Sequence, residues 1–510
     1  MQLSRGRLFL LAGFAVAYLC YLAWYHCPYA GGSDSSGYLN SARLLLAGRF
    51  STPLVMPADL PPEVLSGQYF FPLGFVPDPA GQNLLPTYPV GLPLLFAAAG
   101  YFVGLGPGTT VVALAAALGF VLLLYLTARE FGVRPAWAGA LAGCGALSPL
   151  ALLYALQPMS DLVAATCILL VVFCALRSAR HWRWAFAAGA ALALAVLVRP
   201  TNLLVAAAAL VALQARPRTW LAFVAGGLPG AAFLACYNHS LYGRIVTTGY
   251  GDVSSLFAWK NMWPTLGHYT LWIPVVAGPL VLAALALPWL RLAARRKAVL
   301  LLWGGVFVLF YSSYECSQET WWYLRFILPA LPAAGIAAAL ALQEIRYPAF
   351  FLVSRLLPAD EKPAQITGQR YLRLPFTLVL CLATAGWFVW WDNFLHVRSV
   401  ELDERAYRLA GQWTAEHVPP KSPVVAYQAS GAILYYANRT SLNFNLLTPD
   451  DSARFRAWLD AEHRPLYAVL FPFEDALVRE SLPGRWEVVT RLRQATVWRR
   501  LGPDKPPAQR

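Results

Sequence analysis

The sequence GGSDSSGYLNSARLL, residues 31–45, follows the first hydrophobic segment of the chain and places a carboxylate, Asp34, just beyond it. Ser33, Asp34 and Ser35 are residue types that cap helices, and the apolar residues after them recur at helical spacing as far as Gly48. The pattern predicts an amphipathic helix that lies along a bilayer. Asp34 is then either an N-cap or a catalytic carboxylate, and helix signals alone do not separate the two.

The composition is that of a polytopic membrane protein. Of the 510 residues, 58% are hydrophobic and 13% are charged, and the mean hydropathy is +0.50. Apolar runs of this kind are typical of membrane spans. The net charge of +14 is spread over short basic clusters between the runs. It therefore indicates orientation in a membrane, and we expect no nucleic-acid partner.

The apolar runs decide the expected topology. The candidate spans are 8–25, 88–105, 110–128, 137–156, 162–176, 184–198, 201–215, 219–237, 270–290, 298–314, 324–343 and 375–391. If the N-terminus is cytoplasmic and 88–105 is interfacial or re-entrant, every basic cluster between runs faces the cytoplasm. The sequence thus predicts an all-α polytopic membrane protein with about 11 transmembrane helices plus juxtamembrane helices, and an external C-terminus.

The end of the chain differs in character from the rest. From about residue 396 ordinary charge returns, and helical patterns at 400–417, 450–462 and 474–482 alternate with strand patterns at 424–427, 466–471, 486–492 and 495–501. We predict two domains. Residues 1–395 form a transmembrane domain whose first external loop covers about 27–109, and residues 396–510 form a small external α/β soluble domain.

A second acid and two arginines share the expected external face. Asp161, in QPMSDL (157–162), starts a span without a basic residue at helical spacing. A carboxylate near hydrocarbon costs about 2–3 kcal/mol toward the bilayer centre, so it indicates a partner or a function, unless Ser160 and Asp161 only cap the span. Arg199 and Arg325 stand at external span ends, where a guanidinium suits a phosphate or snorkels to a lipid headgroup.

The loops between these residues carry aromatic and amide groups. Tyr242 and His268 belong to segments that suit sugar binding, and they equally suit the aromatic belt of a membrane interface. Glu319 adds an acid that is close enough in sequence to pair with Arg325. We find no phosphate-binding loop, dinucleotide fingerprint, zinc motif or serine elbow, so no cofactor and no metal are predicted.

The order of the motifs resembles that of the membrane-embedded glycosyltransferases of the GT-C superfamily, in particular the bacterial branch akin to protein O-mannosyltransferases and lipid A aminoarabinose transferases. The resemblance runs from about residue 5 to 345. Its carriers are the Asp34 helix with Tyr38, Leu39, Ala42 and Arg43, then LPTYPVGLPLL (85–95), LSP (147–149) leading to Ser160 and Asp161, VRPT (198–201), Tyr242-Gly243 and YLRFILP (323–329).

The resemblance implies an inverting transfer of a hexosyl or pentosyl group from a polyprenyl-phosphate donor to an external lipid, glycan or protein acceptor. It implies Asp34 as catalytic base, with Asp161 orienting the acceptor or holding a phosphate ligand, and Arg199 and Arg325 as phosphate ligands. The candidate substrate-binding residues are Tyr38, Arg43, Tyr88, Tyr242, His268, Glu319 and Tyr323. The implied location is a cell membrane, the bacterial inner membrane, with the site facing outward.

Two departures from the family pattern stand beside this resemblance. Asp34 is followed by Ser35 where many members carry a second acid, and the chain lacks the large carbohydrate-binding insertion of eukaryotic O-mannosyltransferases. Two other classes of function stay open. A transporter or flippase of a lipid-linked glycan would line its path with charges, and a membrane scaffold would present the C-terminal region to a partner.

Overall fold

The structure, a computed structural model, describes residues 5–57, 59–214, 216–344 and 365–502, without the side chains of 5–11 and 365–377. The basic cluster at 346–373, between the apolar runs 324–343 and 375–391, is predicted to face the cytoplasm and lies largely outside the described residues. Residues 503–510 also lie outside them. The helices before the C-terminal region are α1 (Arg5–Tyr25), α2 (Ser33–Leu46), α3 (Gly91–Val103), α4 (Leu105–Phe131), α5 (Pro135–Leu147), α6 (Pro149–Ala155), α7 (Ser160–Arg177), α8 (Arg183–Val198), α9 (Ala206–Leu213), α10 (Pro217–Tyr242), α11 (Met262–Ala277), α12 (Ala294–Ser312), α13 (Leu331–Glu344) and α14 (Gln365–Phe394).

Three helices of the described part, α4, α7 and α10, are long and apolar enough to cross a membrane by themselves. The number rises to 6 when each bent pair of helices is taken as one span. The remaining predicted spans coincide with shorter apolar helices of 10–17 residues or with helices outside these criteria. The chain is therefore a multi-pass helical membrane protein, while the count of about 11 crossings stays a prediction.

Two apolar runs that the sequence predicts as straight spans are broken. The run 137–156 bends by 57° between α5 and α6, where Pro149 supplies no backbone N–H to continue the helix. The run 270–290 bends by 110° after α11, at Gly278, whose φ of +81° is outside the helical region, and it continues as a 3₁₀ helix, Pro279–Trp289. The first break directs the chain after α6 toward the start of α7.

Helix α3 covers the predicted unusual run 88–105. Its 13 residues reach about 20 Å, less than the bilayer core of about 30 Å. A Cβ at Gly91 would overlap the backbone of Leu197 and Val198, so this glycine lets α3 contact the end of α8. The geometry agrees with the expectation that this run does not cross the membrane as an ordinary span.

The packing of α8 against α10 also depends on glycines. A Cβ at Gly189 would overlap the carbonyl of Phe223, and a Cβ at Gly226 would overlap the carbonyl of Phe186. Small residues are what allow two membrane helices to approach at backbone distance. Together with α4 and α7, these helices surround the largest buried core of the chain.

The C-terminal region, residues 396–502, combines helices with a mixed sheet. Its strands β4 (Val424–Val425), β5 (Leu466–Leu470), β6 (Arg485–Leu492) and β7 (Ala495–Gly502) are ordered β4-β5-β7-β6, with β4 parallel to β5 and the other pairs antiparallel. With strands numbered along the whole chain, β1 (Thr52–Pro53), β2 (Phe75–Pro77) and β3 (Asn83–Pro86) form a small sheet in the loop between α2 and α3. The helices of the region are α15 (Val400–His417), α16 (Ser430–Ala437), α17 (Pro449–Ala461) and α18 (Asp475–Ser481).

The loop between α2 and α3, which the sequence predicts to be external, packs into the C-terminal region. Leu65 and Phe70 of this loop belong to the same buried cluster as Phe444 and Phe455. Tyr69 also donates a hydrogen bond of 2.8 Å from its hydroxyl to Asp451. The loop and the C-terminal region therefore share one hydrophobic core.

Helix α2 is covered by protein on two sides, by α3 and by α16. Asn40 donates from Nδ2 to the carbonyl of Gly431 at 2.9 Å, and Arg43 donates to the carbonyl of Tyr435 at 2.9 Å. A Cβ at Gly431 would overlap the Ser36 hydroxyl, so the two helices meet at close range. The start of α2, with Asp34, is consequently fixed between the membrane helices and the C-terminal region.

Candidate active site

Asp34 does not cap helix α2. The N-cap position is held by Gly32, no side chain makes a capping hydrogen bond, and Asp34 lies in the first turn. Its Oδ2 instead forms an ion pair with Nη2 of Arg325, which follows about 290 residues later in the chain. The capping alternative for Asp34 is therefore wrong, and its carboxylate pairs with Arg325 instead.

Asp161 is a second carboxylate without a capping role. Met159 occupies the N-cap of α7, and no side chain caps the helix. Asp161 is 0% exposed, and its Oδ1 lies 2.6 Å from Nη2 of Arg199 and 3.6 Å from Nε of Arg325. We call these four residues, Asp34, Arg325, Asp161 and Arg199, the Asp–Arg network. Both arginines bind carboxylates here, so neither is an isolated cation that snorkels to a headgroup.

Neighbouring side chains fix the orientation of the network. The Ser160 hydroxyl accepts hydrogen bonds from Nε of Arg199 at 2.9 Å and from the Tyr38 hydroxyl at 3.0 Å. The ring of Phe326 lies 5.9 Å from the Arg199 guanidinium and 5.3 Å from that of Arg325. An arginine that stacks on a ring and donates to fixed acceptors has little freedom left, so the guanidinium positions are set before any ligand binds.

Asp34 and Arg325 line a cavity of about 510 Å³ between one end of the membrane helices and the C-terminal region. Volumes of this size hold small-molecule ligands. The membrane region contributes residues from the start of α2, from the segment after α6 and from the 3₁₀ helix Trp321–Phe326. The C-terminal region contributes residues from the end of α14 to α15 and one further side chain: Leu395, His396, Ser399, Val400, Asp403, Glu404, Tyr407 and Gln428.

One wall of the cavity is aromatic. It consists of Tyr154, Trp321, Trp322 and Tyr323, and Tyr154 is fixed by a hydrogen bond of 2.8 Å from its hydroxyl to the carbonyl of Trp322. Of the predicted substrate-binding residues, Tyr323 lines the cavity. Aromatic faces beside polar groups suit ligands that have both apolar and polar surfaces, as sugar rings do.

Three of the predicted tyrosines, Tyr38, Tyr88 and Tyr242, support the site from behind. The hydroxyls of Tyr88 and Ser33 are hydrogen-bonded at 2.6 Å, and the ring of Tyr88 lies 5.0 Å from that of Tyr38. Tyr242 donates from its hydroxyl to the carbonyl of Pro86 at 2.6 Å, two residues before Tyr88. These contacts position the first turn of α2, and none of the three tyrosines lines the cavity.

Three predicted substrate-binding residues lie elsewhere. Arg43 donates to the carbonyls of α16, Nε2 of His268 is hydrogen-bonded to the carbonyl of Thr320 at 3.1 Å, and Glu319 is exposed beside Tyr323. Arg43 thereby connects two parts of the chain, and His268 anchors the segment that leads to Arg325. The structure does not bring these three side chains into the cavity.

Asp34 and Glu404, two of the carboxyl groups that line the cavity, differ in proton affinity. Burial raises the pKa of Asp34, but the Arg325 charge and hydrogen bonds from Tyr88 and Arg325 outweigh burial, so this pKa lies below its ordinary value. Burial raises the pKa of Glu404 to about 7. At neutral pH Asp34 is ionised, whereas Glu404 is close to its titration midpoint.

Among the described residues, no group of three or more His, Cys, Asp or Glu side chains is arranged to hold a metal ion. The chemistry that we consider below uses the Asp–Arg network and the cavity that Asp34 and Arg325 line.

Solved structures of similar shape exist for the whole chain. ArnT from Cupriavidus metallidurans, in a crystal structure bound to undecaprenyl phosphate, matches with a TM-score of 0.59 and 14% identity over 98% of each chain. The Archaeoglobus fulgidus oligosaccharyltransferase in its apo form matches with a TM-score of 0.52 and 14% identity, over 92% of this chain and 71% of that one. Both structures belong to the GT-C superfamily.

The chain has the GT-C fold. A third GT-C structure, the arabinofuranosyltransferase AftD from Mycobacteria, matches 99% of this chain and 42% of its own with a TM-score of 0.52 and 16% identity. Residues 396–506 of the chain match a family model described as a domain of unknown function (DUF8728). A search of curated protein sequences found no match.

The sequence did not single out the residues that the C-terminal region contributes to the cavity. Glu404 follows Glu401 and Asp403 in a strongly amphipathic helix, and a run of acids on such a helix is typical of a solvated face. The sequence indicates Ser160 as a possible helix cap, but it does not indicate that the Ser160 hydroxyl accepts a hydrogen bond from Arg199. Only the docking of α15 onto the start of α2 shows which of the acids faces the cavity.

Proposed function

We propose that this chain is an inverting glycosyltransferase that transfers a sugar from a polyprenyl-phosphate donor to an acceptor at the outer surface of a cell membrane. The observation that carries the proposal is the ion pair of Asp34 and Arg325 at a cavity large enough for sugars, in a chain with the GT-C fold. A base and a phosphate ligand side by side are what such a transfer requires.

Arg325 is the proposed ligand of the donor phosphate, with Arg199 behind it. A guanidinium binds phosphate through paired charge-assisted hydrogen bonds. A structure of ArnT holds undecaprenyl phosphate, which supports a lipid of this class as donor or product for the present chain. The polyprenyl chain would stay in the bilayer while the phosphate reaches Arg325 and the sugar enters the cavity.

Asp34 is the proposed catalytic base. Its pKa lies below the ordinary value, so at neutral pH the carboxylate is in the ionised form, which is the form that accepts a proton. In the reaction, the acceptor hydroxyl gives its proton to Asp34 while its oxygen bonds to the anomeric carbon. The bond from that carbon to the phosphate oxygen breaks on the opposite face, and polyprenyl phosphate leaves.

The shared arginine couples donor binding to the strength of this base. A phosphate at Arg325 competes with Asp34 for the same guanidinium, and a carboxylate that loses part of a cationic partner becomes more basic. Asp34 is thus held as a weak base in the empty site and becomes a stronger one when the donor is in place.

Asp161 holds the two arginines rather than the acceptor. It is completely buried, contacts Arg199 and Arg325, and does not line the cavity. Of the two roles that the family resemblance implies for Asp161, this geometry supports fixing the phosphate ligands. Its proposed catalytic contribution is therefore to position the cationic groups that stabilise charge on the leaving phosphate.

The test is turnover of defined donors. The chain, reconstituted in nanodiscs, would be incubated with polyprenyl-phosphate hexoses and pentoses and with extracted envelope lipids and glycans, and released polyprenyl phosphate would be measured. We expect release that needs both a donor and the extract and that is lost in Arg325→Gln. The alternative, a transporter or flippase, moves the donor with its sugar–phosphate bond intact, so absence of release together with donor translocation in vesicles would overturn the proposal.

A further inference from the structure

Glu404 stands where the C-terminal region meets the start of α2. Its Oε2 accepts a hydrogen bond of 3.2 Å from the backbone N–H of Gly32, two residues before Asp34. A Cβ at Gly31 would overlap the Glu404 carboxylate, so only glycine at this position lets the side chain approach. Glu404 and Asp34 therefore line the same cavity from two different regions of the chain.

Other side chains besides Glu404 attach the C-terminal region to the residues before α2. That attachment already uses Glu401, which accepts from the Tyr29 hydroxyl at 3.0 Å, and Tyr436, whose hydroxyl accepts from the Ala30 N–H at 3.1 Å. Glu401 lies one turn before Glu404 on α15 and does not line the cavity. Glu404 is a second carboxylate in the same contact area, and it lines the cavity and is partly desolvated. Burying a carboxylate costs free energy, so attachment alone does not explain an acid at this position.

The cavity is electrically asymmetric. Asp34 and Arg325 form a neutral ion pair on the side of the membrane region, whereas Asp403 and Glu404 lie on the side of the C-terminal region. A phosphate can pair with Arg325 on the first side, and it is repelled by the acids of the second. Gln428 and Tyr407 complete the acidic side, and they are hydrogen-bonded to each other at 3.2 Å. Hydroxyl or amino groups of a sugar find acceptors on this side.

We propose that Glu404 is an acceptor-binding residue of the cavity, through which the C-terminal region selects a sugar acceptor that carries hydroxyl or amino groups, and no phosphate, beside the reacting oxygen. This inference rests on the proposed function. The donor phosphate then belongs to the arginine side and the acceptor to the acidic side, so the two substrates do not compete for one position.

Ionisation of Glu404 should make acceptor binding depend on pH. Its pKa of about 7 means that the carboxylate forms as the pH rises through neutrality, and the ionised form is the stronger acceptor for a sugar hydroxyl. The charged or titratable groups that face Glu404 or line the cavity with it are Cys27, Asp34, Tyr154, Tyr323, Arg325, His396, Asp403 and Tyr407. His396 also lines the cavity, so the measurement is made in a His396→Asn background.

The experiment measures transfer from a polyprenyl-phosphate sugar to lipids and glycans extracted from a strain that lacks this chain, between pH 5.5 and 8.5. We expect the acceptor KM to fall as the pH rises through about 7. Glu404→Gln keeps an oxygen for the Gly32 N–H but removes the charge. It should raise the acceptor KM about 10-fold or more above pH 7, abolish the pH dependence and leave the donor KM within about 2-fold.

The matched control is Glu401→Gln on the same helix, which should keep the acceptor KM and its pH dependence. If both variants behave alike, or if Glu404→Gln keeps the wild-type KM at every pH, the inference is wrong while the proposed function stands. If a variant instead disturbed the proposed donor site at Arg325, its binding of undecaprenyl phosphate would become weaker. If Glu404→Gln is poorly inserted, Glu404→Asp decides: retention of the pH-dependent step supports the inference, and its loss overturns it.

Discussion

Asp161→Asn is predicted to destabilise the folded chain strongly. The Asp161 side chain is 0% exposed and faces Arg199 at 2.6 Å and Arg325 at 3.6 Å. At an effective dielectric constant of about 20, unit charges at the shorter of these distances attract by about 6 kcal/mol. Asparagine loses this attraction but costs less to bury, and removing one partner of a buried pair typically costs about 3–5 kcal/mol. We expect a decrease of that size in the free energy of unfolding.

The assay is titration of purified chain in mixed micelles with sodium dodecyl sulfate, followed by tryptophan fluorescence. The control is Glu130→Gln, because Glu130 pairs with Arg180 at 2.8 Å but the Arg180 side chain is 58% exposed. Such a pair contributes less than about 1 kcal/mol. The double variant Asp161→Asn, Arg199→Gln should recover part of the loss, since it removes a buried cation without a partner. A cost for Asp161→Asn no larger than that of the control would refute the argument that Asp161 holds the arginines.

Three further predictions use other parts of the site. Arg325→Gln should weaken binding of undecaprenyl phosphate, measured by native mass spectrometry, about 10- to 100-fold, because hydrogen bonds to charged groups contribute about 1.5–3 kcal/mol; unchanged binding would remove Arg325 as phosphate ligand. Gly31→Ala should lower transfer as Glu404→Ala does, whereas Gly139→Ala, where a Cβ meets open space, should not; equal activity of both glycine variants would contradict the close approach of Glu404. Folding raises the pKa of Glu404 from 4.5 to about 7, so its contribution to stability is full below pH 4.5 and is lost as the pH rises through 7. Glu404→Gln should therefore gain stability relative to wild type between pH 5 and pH 8 in the same micelle titration, and a constant difference would contradict the raised pKa.

Much of the fold follows from patterns within short segments. The strand patterns at 466–471 and 486–492 coincide with β5 and β6, and the helical pattern at 400–417 coincides with α15. Such patterns arise from the burial of one face of each element, which the sequence records directly. The breaks at Pro149 and Gly278 were missed, because apolar composition is the same on both sides of a bend.

The candidate site was predictable only where a carboxylate or a guanidinium stands in an apolar neighbourhood. Asp34, Asp161, Arg199 and Arg325 stood out because a charge near hydrocarbon has few explanations. Their pairing was not predictable, since the contact of Asp34 with Arg325 joins segments that are distant in the chain. Arg43 was named only through the family resemblance, and the structure places it against α16.

The central claim is that Asp34 is the base of a sugar transfer. Its most direct test is mass spectrometry of envelope lipids and glycans from a deletion strain that carries either the wild-type chain or Asp34→Asn, both checked for expression and membrane insertion. We predict that deletion removes a fixed sugar increment, that the wild-type chain restores it and that Asp34→Asn does not. Full restoration by Asp34→Asn would contradict the claim, and whole glycans that accumulate without export would assign the chain to transport.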